Sequence, residues 1–207
     1  KQGVVLSDGV AGHDRSSEGI VLALSHLGPT NAVWVSMREV RTSSRRLARL
    51  RAAIGFGGAQ PRRFASFDCE LPRSADLVVS TGPATAAANI ALARSLKARN
   101  IYYGFPKWPP LGMTALLSPL PRRGAILSPR PSVVNAAELP SPRPMLGDSE
   151  RHIAVLFGGD SKHYRYKTDD LKTLGDALKR LTVDQPDWRV TVFDSRRTNA
   201  ETFLPLE

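Results

Sequence analysis

Four short apolar runs, GVVL at 3–6, AVWV at 32–35, DLVVS at 76–80 and IYYG at 101–104, alternate with segments of helical periodicity. This alternation constrains the fold more than any other feature of the chain. Each run is too apolar to leave one face wet, so each predicts a strand covered on both sides. Between them, 18–27 (EGIVLALSHL) puts Ile20, Val21, Leu24 and Leu27 on one stripe. Residues 43–54 put Leu47, Leu50 and Ile54 on one face, with Arg45, Arg46 and Arg49 mostly off it, and 83–99 forms an Ala-rich helix. The β-α-β-α order predicts a parallel sheet with helices on both faces, a Rossmann-like α/β domain over residues 1–140.

Most of the prolines fall between Pro106 and Pro144. Each removes an amide donor and restricts its predecessor, so this stretch excludes long helices and admits short strands at 116–117 and 125–127. Residues 141–151 read as an extended interdomain linker. The β-α-β rhythm then restarts, with a strand at 152–157, a helix at 168–181 and a strand at 189–193. Thr168 is the expected N-cap of that helix, and Asp169 and Asp170 lie in its first turn. Two strands and one helix do not close a core alone, so 152–207 is expected to be the truncated start of a second Rossmann-like domain with a parallel sheet.

Charge is uneven. Of the formal +10, residues 1–150 hold 19 Lys/Arg against 10 Asp/Glu, whereas 151–207 hold 10 against 9. A basic first segment suits an acidic partner such as phosphate, anionic lipid or nucleic acid, or serves solubility alone. The helix carrying Arg41, Arg45, Arg46, Arg49 and Arg51 could rest on an anionic membrane surface with its apolar face turned inward. No aromatic is interleaved among these arginines, so nucleic acid is the lesser alternative. No apolar run reaches about 18 residues and no signal peptide opens the sequence, so a cytoplasmic location is expected, peripheral at the inner membrane face if the basic helix docks there. Cys69, the single cysteine, reads as a small packing residue and leaves no cysteine-rich metal site.

Four loops follow strands at places suited to ligands. LSDGVAGHDRSSEG at 6–19 offers Gly9 and Gly12 for close backbone approach, Ser16, Ser17 and Glu18 as caps, and His13 with Asp8 and Asp14 near it. His13 could act as general base with Asp8 or Asp14 orienting it, or be a solvated loop residue. STGPATAAANIA at 80–91 places Ser80, Thr81 and Gly82 before Pro83, either as hydroxyls and amides for a ligand or as a plain helix start. FGGDSKHYRYK at 157–167 puts Gly158 and Gly159 at a strand end, where parallel sheets bind ligands, followed by Ser161 and Lys162. It matches no Walker A loop, and a surface turn is the competing explanation. DSRRT at 194–198 supplies Arg196 and Arg197 for phosphate or for salt bridges.

Taken together, LSDGVAGHDRSSEGIVLAL, DLVVSTGPATAAANIALAR, VLFGGDSKHYRY and VFDSRRT resemble the motifs of the elongated-mitochondria family of mitochondrial fission proteins, whose bacterial members are sometimes labelled nucleoside-diphosphate-sugar epimerases. The resemblance covers most of the chain in order, and GG-x-S-K-x-Y and S-R-R-T are its most specific parts. It implies a GT-B glycosyltransferase-like pair of facing Rossmann-like domains, with the acceptor on the first and a nucleotide-sugar donor on the second. The donor diphosphate would then meet Gly158, Gly159, Ser161 and Lys162, with Arg196 or Arg197 neutralising the leaving group. Asp8, Gly9, Gly12, Ser80, Thr81 and Gly82 would form acceptor-side loops. The 11–19 stretch is also similar in position to the Gly-Gly-His loop of the enzyme that completes lipid II, which makes His13 the candidate base. The nucleotide sugar would be substrate, the acceptor membrane-associated or anionic, and no cofactor or metal is required. A dehydrogenase-type epimerase would need the dinucleotide fingerprint that this chain lacks. The plant homologue's link with a division dynamin implies the alternative of a non-catalytic scaffold.

Overall fold

The computed structural model describes residues 1–55, 58, 60–105, 111–134, 151–158 and 165–194. The chain divides into two compact units, Lys1–Leu139 and Pro140–Glu207.

The first unit runs β1 (Gln2–Ser7), α1 (Ala11–Ser25), β2 (Asn31–Glu39), α2 (Arg45–Ile54), β3 (Ala65–Phe67), β4 (Leu77–Thr81), α3 (Ala86–Leu96), β5 (Arg99–Tyr103), β6 (Ala115–Ser118) and β7 (Ile126–Leu127). Its seven strands lie in the order β3-β2-β1-β4-β5-β6-β7. All neighbours are parallel except β2 and β3, which pair antiparallel with Met37 opposite Phe67. The edge strand β3 was not expected from the sequence; three residues are too few to show a period.

Alternation along the strands splits the core into two. Val4, Leu6, Val35, Met37 and Val78 face α2 and α3 and pack on Ala52, Ile90 and Leu92. Val5 and Val79 face the other way with Tyr103, onto Ile20, Val21 and Leu24 of α1. The sheet is thus covered on both sides, as buried parallel strands require. Connections leave β1 toward β2 and β4 toward β5, in opposite directions from the centre, so the β1–β4 boundary is the switch point of the sheet.

Three expectations for the helices of the first unit are corrected. The first helix begins at Ala11 rather than near residue 18, which makes Ser16 and Ser17 buried helical residues and not caps. Its N-cap is Val10, which has no capping side chain, and this is why the start was hidden. The third helix ends at Leu96, with Lys97 in the left-handed C-cap conformation (φ 53°), because Arg99 already belongs to β5.

The third correction concerns α2, which is turned the other way round. Ala48, Ala52 and Ala53 face the core, and Leu47, Leu50 and Ile54 point outward. Ser44 caps this helix through Leu47 N–H, and Gly55 ends it in the left-handed conformation (φ 72°). Cys69 is exposed rather than packed.

In the second unit, β8 (Arg151–Leu156) and β9 (Trp188–Phe193) form a parallel pair joined by α4 (Thr168–Asp184). Arg151, placed at the end of the expected linker, is the first residue of β8, and 141–150 lie outside the described residues. Lys167 is the N-cap of α4 and Thr168 its first helical residue; Asp169 and Asp170 occupy the first turn. Leu171 and Gly175 are buried, and Phe157 meets Tyr166 edge-on at 5.3 Å between ring centroids.

No described helix is long and apolar enough to cross a membrane.

Candidate functional site

A cleft of about 730 Å³ opens at the carboxyl ends of β1, β4 and β5, at the switch point of the sheet. Gly12, His13 and Ser16 line it from α1, Thr81 to Pro83 from the end of β4, Tyr102 to Phe105 from the end of β5, and Arg45, Arg46 and Arg49 from α2. Arg130 completes the wall.

Asp8 and His13 form the best-defined pair in it. The backbone turns after Ser7 so that Asp8 Oδ1 accepts Val10 N–H at 3.2 Å and Ser7 Oγ accepts Gly9 N–H at 3.1 Å. His13, two residues into α1, then reaches back to Asp8, with Nδ1 3.0 Å from both carboxylate oxygens. Asp8 is 9% exposed and His13 31%. A carboxylate only accepts, so Nδ1 carries the proton, and the lone pair of neutral His13 is on Nε2. A buried acid, an oriented imidazole and an open cleft are the parts of a general base. Of the two acids near His13 in sequence, Asp8 is thus the carboxylate bonded to it, while Asp14 lies in the first turn of α1.

The other cleft-side residues divide by role. Gly82 has φ 96° and lies against the imidazole, so a Cβ there would collide with the ring. Gly104 lies under the Tyr102 hydroxyl, 2.8 Å from where a Cβ would stand. The Tyr102 phenol is pushed up to about 12, by burial first, with Arg49 opposing the rise, nearby Asp8 adding to it and Arg45 opposing it. Tyr103 is also raised, by burial first, with Arg130 lowering it.

Cations crowd the cleft. Arg45 makes a bidentate pair with Glu39 at 2.7 Å per contact, and Arg41 joins the same carboxylate at 3.0 Å. Hydrogen bonding from Arg45 holds Glu39 below the usual carboxylate range despite burial. Arg49 Nε donates to Arg45 O at 3.2 Å. Arg130 reaches across 114 residues to donate from Nε to Ser16 Oγ at 3.1 Å, and from Nη2 to Gly12 O at 2.8 Å. This contact needs Gly19, where a Cβ would strike the backbone of Pro131 and Ser132. Arg130 gave no sequence signal, because its segment is proline-rich and irregular.

Of the residues expected on the acceptor-side loops, Asp8, Gly9 and Gly82 lie in the turns after β1 and β4, whereas Gly12 is the second residue of α1 and lines the cleft from that helix. Ser80 and Thr81 do not lie in a loop: both belong to β4 and are buried. Ser80 Oγ accepts from Asn89 Nδ2 at 3.0 Å, and Thr81 Oγ1 accepts from Ser17 Oγ at 3.0 Å.

On the second unit Gly158 follows β8, and a Cβ there would meet nothing within 4 Å. Gly159, Ser161, Lys162, Arg196 and Arg197 lie outside the described residues. Among the described residues no group of three or more His, Cys, Asp or Glu side chains is gathered for a metal ion.

The sequence model of the family described as Mitochondrial fission ELM1 matches residues 11–206. No curated protein matches the chain. Among solved structures, a Listeria monocytogenes protein provisionally assigned as a UDP-N-acetylglucosamine 2-epimerase is similar at TM-score 0.52 and 10% identity, over 99% of this chain and 64% of that one. The UDP-GlcNAc 2-epimerase of Neisseria meningitidis, bound to UDP-GlcNAc, aligns at TM-score 0.44 and 11% identity, over 99% of this chain and 68% of its own. The chain thus spans 64% of the length of the first of these, and the likeness is one of fold: α/β and GT-B-like, with a mostly parallel seven-stranded sheet and a second, two-stranded sheet.

Proposed function

The chain belongs to the mitochondrial fission ELM1 family, and from that premise we propose a glycosyltransferase-like protein that moves a sugar from a nucleotide-diphosphate donor to an acceptor held in the first unit. The observation that carries this reading is the Asp8–His13 pair, opening at the sheet's switch point into a cleft walled by Arg45, Arg46, Arg49 and Arg130.

The chemistry follows from the parts. His13 Nε2 would take the proton of an acceptor hydroxyl as that oxygen attacks the anomeric carbon, and Asp8 would stabilise the imidazolium that forms. The bond from the anomeric carbon to the donor phosphate would break, and the nucleoside diphosphate would leave with the electron pair. Arg49 and Arg130 would hold an anionic group of the acceptor. The donor diphosphate is assigned to Gly158, Gly159, Ser161 and Lys162, with Arg196 and Arg197 balancing the charge on the leaving group. Backbone amides and cations would suffice to neutralise a diphosphate without a metal.

The test is calorimetric titration with UDP, GDP, ADP and CMP sugars, followed by release of the nucleotide (UDP, GDP, ADP or CMP) in the presence of a lipid extract as acceptor pool. One nucleotide sugar is expected to bind, and Lys162→Ala to weaken it at least about tenfold. His13→Ala should keep donor binding and lose turnover by at least about a hundredfold. Absence of binding across the panel would remove the transferase reading and leave the scaffold reading in its place.

A further inference from the structure

The inversion of α2 leaves an apolar stripe on the outside of the protein. Leu47, Leu50 and Ile54 are 39%, 43% and 62% exposed, at i, i+3 and i+7 along one helix face. Core packing does not require them, since Ala48, Ala52 and Ala53 already fill the contact beneath. Helical geometry sets Arg46 on one side of the stripe and Arg51 on the other. Beyond Arg51 lie Arg62 and Arg63, which share a surface cavity with it and with Val40, itself 39% exposed. Between residues 39 and 67 the chain has seven arginines and one carboxylate, a strongly positive segment.

We propose that the outer face of α2 docks on an anionic phospholipid surface. Leu47, Leu50 and Ile54 enter the boundary between headgroups and acyl chains, and Arg46, Arg51, Arg62 and Arg63 meet lipid phosphates. Complementarity selects the occupant. A nucleic acid offers phosphates but no place for three aliphatic side chains, and no aromatic residue stands between Arg41 and Arg51 to stack on bases. A second copy of the chain would bring the same positive charge against itself. An anionic lipid interface satisfies both halves of the pattern.

The helix has a second consequence for the cleft. Arg45 and Arg49 line the cleft from the same ten-residue helix. They lie on the side of α2 opposite the stripe, so docking holds this cleft wall one helix diameter, ~10 Å, from the membrane surface. The docking itself does not depend on the transferase reading and is measured without turnover.

The experiment is flotation of the full chain with vesicles of phosphatidylglycerol and phosphatidylcholine, and with phosphatidylcholine alone. Wild type should float with the anionic vesicles only and be released by salt. The triple variant Leu47→Gln, Leu50→Gln, Ile54→Gln should lose at least about tenfold in partitioning, with circular dichroism and melting unchanged because the three residues are exposed. Arg62→Gln with Arg63→Gln should weaken partitioning a further few-fold. Equal flotation of the triple variant and wild type, or no flotation of wild type with anionic vesicles, overturns the proposal. So would single-stranded RNA binding that the triple variant retains, or a dimer in sedimentation that the triple variant loses.

Discussion

Two strand-to-helix turns meet at the cleft, after β1 and after β4, and they differ in where they spend their polar groups. His13, at the start of α1, faces the cleft with Asp8 of the β1 turn bonded behind it, and short local bonds tie that turn to Ser7 and Val10. The turn after β4 folds its polar groups inward. Thr85 Oγ1 donates back to Thr81 O and Gly82 O, and Asn89 joins Ser80, Ile101 and Asn100. Asn100 then accepts Thr114 N–H at 2.6 Å and donates to Gly112 O at 3.1 Å. Polar side chains line the edge of the cleft in one turn and form an internal fastener in the other, and burial goes with the difference: the His13 side chain is 31% exposed, whereas Thr85 and Asn89 are fully buried. If this division is right, substitutions in the β4 turn register as stability and substitutions in the β1 turn as activity.

The largest stability effect is expected at Asn89, which is fully buried. Asn89→Ala removes its bonds to Ser80 and Ile101 and leaves the Asn100 amide without its 2.8 Å acceptor. Chemical denaturation should show a loss of about 3 kcal/mol. Ligand binding by the molecules that remain folded should be unchanged. A loss below about 1 kcal/mol would mean the network is not the fastener described.

Gly82 joins the two turns and should show both effects. Its φ of 96° is strained for any residue with a Cβ, and that Cβ would also push the His13 ring away from Asp8. Gly82→Ala should cost about 2 kcal/mol in denaturation and reduce turnover as well. Full turnover with unaltered melting would show that His13 does not need this glycine.

Tyr102 lies on the β5 side of the same junction and supplies a pH test. Its phenol is raised to about 12 by burial, above the roughly 10 of an unfolded chain. The fold therefore favours the neutral form, so this contribution is intact below about pH 10 and is lost as pH rises from about 10 through about 12. The difference in stability between about pH 9 and about pH 12 should be about 2 kcal/mol larger in wild type than in Tyr102→Phe. Equal pH profiles would place the hydroxyl in water.

The strands that order this site could be read from the sequence because buried parallel strands are nearly continuous apolar runs, as in GVVL and DLVVS. The nearness of His13 to a carboxylate was legible too, with Asp8 and Asp14 both open as partner until the fold brought Asp8 to the ring. Helix direction was not. The stripe of Leu47, Leu50 and Ile54 suggests an inward face only if large side chains decide packing, whereas at α2 the close approach is made by Ala48, Ala52 and Ala53. The roles of Ser80 and Thr81 could not be read for a related reason: a hydroxyl at a strand end looks the same in sequence whether a ligand or a neighbouring helix takes its bond. Arg130 could not be found because its contacts with Gly12 and Ser16 span more than a hundred residues and have no period.

The smallest stability effect, and the sharpest test of the β1 turn, belongs to Asp8→Asn. The amide oxygen of an asparagine can still accept Val10 N–H, so the turn survives and denaturation should move by no more than about 0.5 kcal/mol. The bond to His13 changes sense, however. The carboxylate accepts from Nδ1–H, whereas the asparagine Nδ2 would donate to Nδ1 and drive the ring proton to Nε2. The imidazole would then present a donor to the cleft where the proposed reaction needs a lone pair. Turnover should fall by at least about a hundredfold with donor binding intact. Two-dimensional nitrogen–proton correlation of the His13 ring should report the switch from Nδ1–H to Nε2–H directly. A variant that keeps the Nδ1–H tautomer, or one that switches it and still turns over, would sever Asp8 from the chemistry and return the β1 turn to the structural class of its neighbour.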